Sequence, residues 1–287
     1  MSIPKFHLQM AIAFGAYLVI SIVGYRLTTI KAPEESHIAI AVIFLIAALQ
    51  FLPVYWHTKG KVAMRDAALT IPWVMLFWAL LPFPVDIAAR MGAGLHLKDV
   101  SFIRLDDMFG VSVPAIMRWS SQHWIGKVAT KTYLLLTPML LLSSFLPGLT
   151  GQVKQAQQFL LGNVVAFAVG LPLFALFPAI GPWYGYNLAA TPGQAKCQAD
   201  LFLLRNPAAY LHHASGPICF PSFHVMWAIL CVQALWAFRP LRIPAAALSA
   251  LIIFSTMSTG WHYFSDVLGG IALASIAIFT AKWLNRQ

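Results

Sequence analysis

Two histidines and one aspartate stand out in this sequence because each lies at the start of an apolar stretch. His224 follows Pro221-Ser222-Phe223, and His262 precedes Asp266 by four positions. A spacing of four places His262 and Asp266 on the same face of a helix. A carboxylate there can hold the imidazole tautomer and stabilise the imidazolium, and an oriented neutral imidazole can attack phosphorus. The residues therefore point to phosphoryl transfer through a phosphohistidine.

The segment before His224 has the features of a helix start that binds an anion. Ser222 is a favourable N-cap residue, and Pro221 just before it is compatible with a helix start. The free amides of the following turn, together with the helix dipole, form a site for a phosphate. We therefore predict that Ser222 and Phe223 contribute to substrate binding. His224 lies in this turn, where it can protonate a departing oxygen.

The elements that position these residues are membrane-spanning helices. The two histidines are 38 residues apart, which matches about two crossings of the bilayer plus a short turn at Arg239-Pro240-Leu241-Arg242. This hairpin returns His262 to the membrane level of His224. Eight apolar spans are predicted, at 8–25, 38–56, 67–83, 128–147, 157–180, 222–238, 243–260 and 263–282.

The composition supports the same class of protein. Of the 287 residues, 60% are hydrophobic and only 10% are charged, and the mean hydropathy is +0.74. We expect one all-α, polytopic transmembrane helical bundle over residues 1–287. The net charge of +10 is spread over many short connections with no Lys/Arg run, so we expect no nucleic-acid partner.

Eight spans place both termini on one side and the long connections, 84–127 and 181–221, on the other. Basic residues are denser in the short segments of the terminal side, which predicts cytoplasmic termini and an extracytoplasmic site. Cys197 and Cys219 share one polar connection, where a disulfide and two free thiols are both open alternatives.

These residues resemble the type 2 phosphatidic acid phosphatase superfamily, whose members carry Pro-Ser-Gly-His and, later, Ser-Arg, five residues, His, three residues, Asp. Pro221-Ser222-Phe223-His224 matches the first motif with Phe in place of Gly. Ser255, His262 and Asp266 match the second, with Thr256 at the position of the arginine. The family's upstream Lys-six-residues-Arg-Pro motif is absent.

In its departures from these two motifs, the sequence resembles the branch of the superfamily that includes inositol phosphorylceramide synthases and sphingomyelin synthases. Leu105–Gly110 and Phe177–Trp183 are further similarities to it, and the resemblance covers a catalytic core of about 104–275. It implies that His262 is the nucleophile, Asp266 its orienting partner and His224 the general acid. It also implies an enzyme of lipid metabolism in a bacterial inner membrane, with its site on the periplasmic side. Such an enzyme hydrolyses a lipid phosphate ester or transfers a phosphorylated head group to a lipid alcohol.

The missing arginine leaves the phosphate clamp to other groups, since a buried phosphate needs cationic or amide partners. Lys127 and Lys131 lie one helical turn apart and can present two cations to one anion, although anchoring in lipid head groups is an alternative. Arg104 can instead pair with Asp106 and Asp107. The candidate cations are Arg104, Arg118, Lys127, Lys131, Lys196 and Arg205.

The sequence also raises the alternatives of a metal site and a transporter. His212-His213 together with the other histidines raises the question of a metal, but no zinc-type spacing is present, so neither metal nor cofactor is expected. A proton-coupled transporter could use the His262–Asp266 pair as a relay. It would place ionisable residues near the midplane of several spans, whereas here they cluster at span ends.

Overall fold

The computed structural model describes residues 5–27, 42, 62–206 and 218–286, and these form helices joined by short turns. Apolar runs become helices in a membrane because hydrocarbon offers no partner for backbone polar groups, which must bond within the segment. The described α-helices are α1 (Lys5–Leu27), α2 (Val62–Leu80), α3 (Pro82–Met91), α4 (Asp99–Met108), α5 (Val113–Gln122), α6 (Trp124–Thr132), α7 (Leu136–Leu149), α8 (Val153–Leu176), the single turn α9 (Pro182–Gly185), α10 (Pro192–Arg205), α11 (Phe223–Leu235), α12 (Arg242–Ser258) and α13 (Phe264–Leu284).

The predicted class, an all-α polytopic bundle, is confirmed. Among the described residues, α11 is an apolar helix shorter than a full crossing, and the predicted span at 38–56 lies outside these residues. One predicted span ends at residue 83, but in the structure helix continues through α3, so Asp86 and Arg90 lie on a helix and not in a loop. Six described segments are long and apolar enough to cross a membrane: Lys5–Gly24, Leu69–Gly94, Trp124–Leu149, Val153–Leu176, Arg239–Ser258 and Phe264–Leu284.

The short helix α11 occupies the centre of the bundle. It is apolar on all sides and packs against α7, α8, α12 and α13, as expected of a helix enclosed by others. Phe223 at its start meets Phe167 of α8 edge to face, with ring centroids 4.7 Å apart. A polar contact joins the same two helices, because the Trp227 indole donates to the Asn163 side-chain oxygen at 2.8 Å.

Glycine allows α13 to approach the start of α11. A Cβ on Gly270 would lie 2.5 Å from the Ser222 carbonyl oxygen and 2.8 Å from the Val225 side chain. No real side chain tolerates such contacts, so only glycine fits. This close packing brings the segments that carry His224 and Asp266 side by side.

Candidate active site

His262 lies in the tight turn between α12 and α13. The backbone amides of Trp261 and His262 both donate to the Thr256 carbonyl, at 3.0 and 3.1 Å. Gly260 completes the turn with a φ of +75°, a left-handed conformation that suits glycine. His262 is 3% exposed. The turn therefore holds the imidazole inside the protein at the end of the bundle where α12 ends and α13 begins.

A backbone carbonyl sets the tautomer of His262. Its Nδ1 lies 3.0 Å from the Cys219 carbonyl oxygen. Because a carbonyl oxygen can only accept, Nδ1 carries the hydrogen and Nε2 keeps its lone pair. Burial lowers the pKa of His262 to about 4, although its hydrogen bond to Cys219 opposes this shift. The imidazole is consequently neutral near pH 7, with a free Nε2.

Asp266 lies behind the imidazole rather than in a hydrogen bond with it. Its Oδ2 is 3.6 Å from Nδ1 of His262, beyond normal hydrogen-bond length. The same oxygen accepts from the Tyr263 amide at 2.8 Å, the backward bond of a capping box, and from the Cys219 thiol at 3.0 Å. Burial raises the pKa of Cys219 well above its usual value, so the thiol keeps its proton and donates.

A second buried carboxylate caps the helix that carries Asp266. Asp106 is fully buried and accepts from the Phe264 and Ser265 amides, each at 2.8 Å. These are the first two amides of α13, which have no acceptor within the helix. A carboxylate at this position also interacts favourably with the helix dipole. Burial raises the pKa of Asp106, and the bonds from both amides work in the opposite direction.

A third carboxylate, Asp99, ties the same turn to the segment after α8. It accepts from the amides of Ile180 and Gly181 at 3.1 and 2.9 Å and from the Tyr263 hydroxyl at 3.0 Å. Asp99 is 3% exposed, so these bonds are shielded from water. Asp106 thus holds the backbone that follows Tyr263, and Asp99 joins the Tyr263 side chain to the segment after α8.

His224 lies in the first turn of α11, facing the other imidazole. Ser222 accepts from the Val225 amide at 3.3 Å, which confirms its prediction as an N-cap. The His224 and His262 rings have centroids 5.5 Å apart. Thus the two histidines and Asp266, singled out by spacing, lie together at one end of the bundle.

Aromatic rings line the approach to the histidines. Tyr133 stacks on His224 at 4.6 Å, and Trp261 stacks on Tyr133 at 6.0 Å. Trp183 then meets Trp261 edge to face at 5.1 Å. These stacked rings make the surroundings of the histidines largely apolar. The site combines apolar rings with a few oriented polar atoms, an arrangement that suits an amphipathic substrate.

The predicted cations lie in different surroundings. Lys127 and Lys131 are exposed on α6, which leads into the turn that carries Tyr133. Lys196 is exposed and pairs with Asp200 at 2.8 Å. Arg104 on α4 and Arg118 on α5 are both exposed. Among the described helices that carry these cations, α6 is the one that continues into Tyr133, which contacts His224.

Arg205 serves local structure. Its guanidinium donates to the carbonyls of Gly92, Ala93 and Leu95. These bonds give hydrogen-bond partners to the carbonyl oxygens of the turn that follows α3. Burial lowers its pKa. His212 and His213, weighed as metal ligands, lie outside the described residues.

Sequence reasoning missed Arg90, near the end of α3. It is 6% exposed, and none of its three guanidinium nitrogens has a hydrogen-bond partner among the residues described. Buried charges are normally paired, so such a side chain favours an anion. An arginine at the end of an apolar run, one turn after Asp86, was the available signal.

The same centre contains donor atoms that can hold a metal ion. Cys219, His262 and Asp266 each offer one ligand atom, and these atoms lie within 4.8 Å of one another. In the structure these groups already bond among themselves: the thiol donates to the carboxylate, and the imidazole donates to the Cys219 carbonyl. A metal would have to displace the thiol proton and break these contacts.

Comparison with known proteins gives one result. The family model described as the PAP2 superfamily matches residues 100–280, more than half of the chain. That range contains α4 with Asp106, the start of α11 with His224, and the turn with His262. A search of curated proteins found no match, and neither did a search of solved structures.

Proposed function

This chain belongs to the PAP2 superfamily, and from that membership we propose that it acts on the phosphate ester of a membrane lipid through a phosphohistidine at His262. Superfamily members are phosphatases and phosphotransferases, so the chain is an integral membrane enzyme for phosphate esters. The observation that carries the proposal is the neutral imidazole of His262, whose Nδ1–H is bound by the Cys219 carbonyl and whose Nε2 is free to attack.

In the first step, the Nε2 lone pair of His262 attacks phosphorus, and the bond from phosphorus to the leaving oxygen breaks. His224 gives its proton to that oxygen. The negative charge of the phosphate beside His224 favours the imidazolium that this step requires. The phosphorylated His262 ring keeps its Nδ1–H and becomes cationic, and Asp266 at 3.6 Å stabilises this charge.

In the second step, water or an alcohol attacks the phosphohistidine, and neutral His224 accepts its proton. The P–N bond breaks, and its electron pair returns to Nε2 of His262. Water gives hydrolysis, and a lipid alcohol gives transfer. The proposed similarity to inositol phosphorylceramide synthases favours transfer of a phosphorylated head group, while the superfamily match supports either outcome.

The phosphate oxygens need positive partners during both steps. We propose the amides of Phe223 and His224, in the N-terminal turn of α11, and the exposed Lys127 and Lys131 of α6, which leads to Tyr133. Arg90 is a further candidate, since a buried guanidinium without a partner gains most from an anion. The active site is proposed to face the extracytoplasmic side.

Trapping of the phosphoenzyme tests the proposal. The purified protein is mixed with a lipid carrying a labelled phosphate and quenched in alkali, because phosphohistidine is labile in acid. We expect no labelled protein for His262→Ala, and slower labelling for His224→Ala. For Asp266→Asn we expect lipid binding with turnover lowered about 10²- to 10³-fold, the scale seen when one electrostatic stabiliser of the transition state is removed. His123→Ala, an exposed histidine stacked on Trp119, is the matched control.

Near wild-type turnover in all three site variants would show that the assignment is wrong. Adding alcohol acceptors to the same reaction separates the two outcomes, because transfer yields a new labelled lipid and hydrolysis yields free phosphate. The alternative of a proton-coupled transporter is not favoured, since the superfamily is one of phosphatases and phosphotransferases.

A further inference from the structure

A cavity of about 740 Å³ lies at the end of the bundle away from the histidines. α11 begins beside His224, whereas the cavity is lined by its second half, up to Trp236. Gln233 is nine residues further along α11 than His224, a rise of about 13 Å. The first residues of α8 and α12 and the last turns of α13 complete the lining. The cavity is thus separate from the candidate active site.

The lining changes in polarity with depth. Arg242 is the first residue of α12 and Lys282 is in the last turn of α13, so both cations lie at the mouth. One turn further in, the Gln233 side chain donates to the Gln158 side chain at 3.1 Å. Ile253, three turns along α12, belongs to the aliphatic wall.

The described residues at the mouth carry positive charge. None of the described residues that line the cavity is acidic. Arg242 uses Nε to donate to the Trp236 carbonyl at 2.7 Å and lies 5.6 Å from the centre of the Trp236 ring. These two contacts orient the guanidinium, and neither of them uses its two terminal NH2 groups. A tryptophan beside a cation is also typical of the membrane interface.

We propose that this cavity binds one anionic phospholipid from the leaflet opposite the candidate active site. The cations at the mouth match its phosphate, the amides match the ester oxygens below, and the aliphatic wall matches the acyl chains. The volume falls within the range of about 300–1,000 Å³ that small-molecule sites occupy. This inference does not depend on the proposed phosphoryl transfer.

Native mass spectrometry of the whole protein, released from nanodiscs, tests the proposal. The nanodiscs contain equal amounts of phosphatidylglycerol and phosphatidylcholine. We expect wild-type protein to retain one phosphatidylglycerol in preference to phosphatidylcholine. In the double variant Arg242→Gln/Lys282→Gln we expect roughly tenfold or greater loss of this lipid, because a hydrogen bond to a charged group contributes about tenfold in affinity.

The matched control is Lys154→Gln/Arg239→Gln, which removes the same charge from exposed positions that do not line the cavity. It should retain the lipid as wild type does. Ala246→Phe, which narrows the cavity without changing charge, should also lose the lipid. Wild-type protein that retains both lipids equally would overturn the proposal, and so would equal losses in the two double variants.

Discussion

Asp106 offers a test of whether the buried carboxylates organise the site, and Asp106→Asn is the smallest change that probes it. The carboxylate accepts from the Phe264 and Ser265 amides at 2.8 Å, and it is fully buried. An asparagine can accept from one amide only, and its NH2 group then faces the other N–H. The loss of one charge-assisted bond contributes about 1.5–3 kcal/mol. The lost attraction to the helix dipole adds up to about 2 kcal/mol.

These losses destabilise the start of α13, which follows the turn that holds His262. If the start of α13 moves, the imidazole moves with it, and a misplacement of about 1 Å lowers a rate by about 10²-fold. We therefore expect kcat for phosphate release from a lipid phosphate to fall about 10²-fold with little change in KM. Melting of the detergent-solubilised protein, followed by tryptophan fluorescence, should show a lower Tm.

Asp107→Asn is the matched control, because it removes the same charge from the adjacent, exposed position. It should keep wild-type kcat and Tm. The reasoning is refuted if Asp106→Asn keeps kcat within about threefold of wild type while His262→Ala is inactive, since a 10²-fold effect is expected from displacement.

Three further outcomes are expected. Cys219→Ala should lower kcat about tenfold, because Asp266 loses a buried donor, while Cys231→Ala should not. In a proton-NMR titration, the His262 imidazole should have its midpoint near pH 4, and a midpoint near 6.5 would contradict this. The free energy of unfolding should fall as the pH is lowered from about 6.5 toward 4, because the unfolded chain binds the proton first. Chelation by EDTA should leave phosphate release unchanged, whereas loss that zinc restores would support a metal at Cys219.

The helical framework could be predicted because it follows from properties of single segments. An apolar run long enough to cross a bilayer must be helical. The hairpin between His224 and His262 returns the chain to the same end of the bundle, although α11 is shorter than the predicted span. The N-cap at Ser222 was also a local inference. Each needs only the residue type and its neighbours in the sequence.

The contacts that orient the site could not be predicted, because they join distant segments. The tautomer of His262 is set by the Cys219 carbonyl. Every residue has a backbone carbonyl, so the sequence does not show which one accepts this bond. Asp106 was weighed as a partner of Arg104, yet it caps a helix that begins at Phe264. Nothing in the spacing of these residues indicates the pairing, which depends on how α4 lies against α13.

The three buried carboxylates share one physical property that connects them to function. Asp99, Asp106 and Asp266 each accept from backbone amides in or beside the turn from His262 to Ser265, or in the segment packed on it. A buried carboxylate without donors is costly, so each one is stable only when the backbone keeps this arrangement. The acids therefore select one conformation of the turn before substrate arrives. Electrostatic catalysis depends on this kind of preorganisation, because polar groups already in place need not rearrange as charge develops.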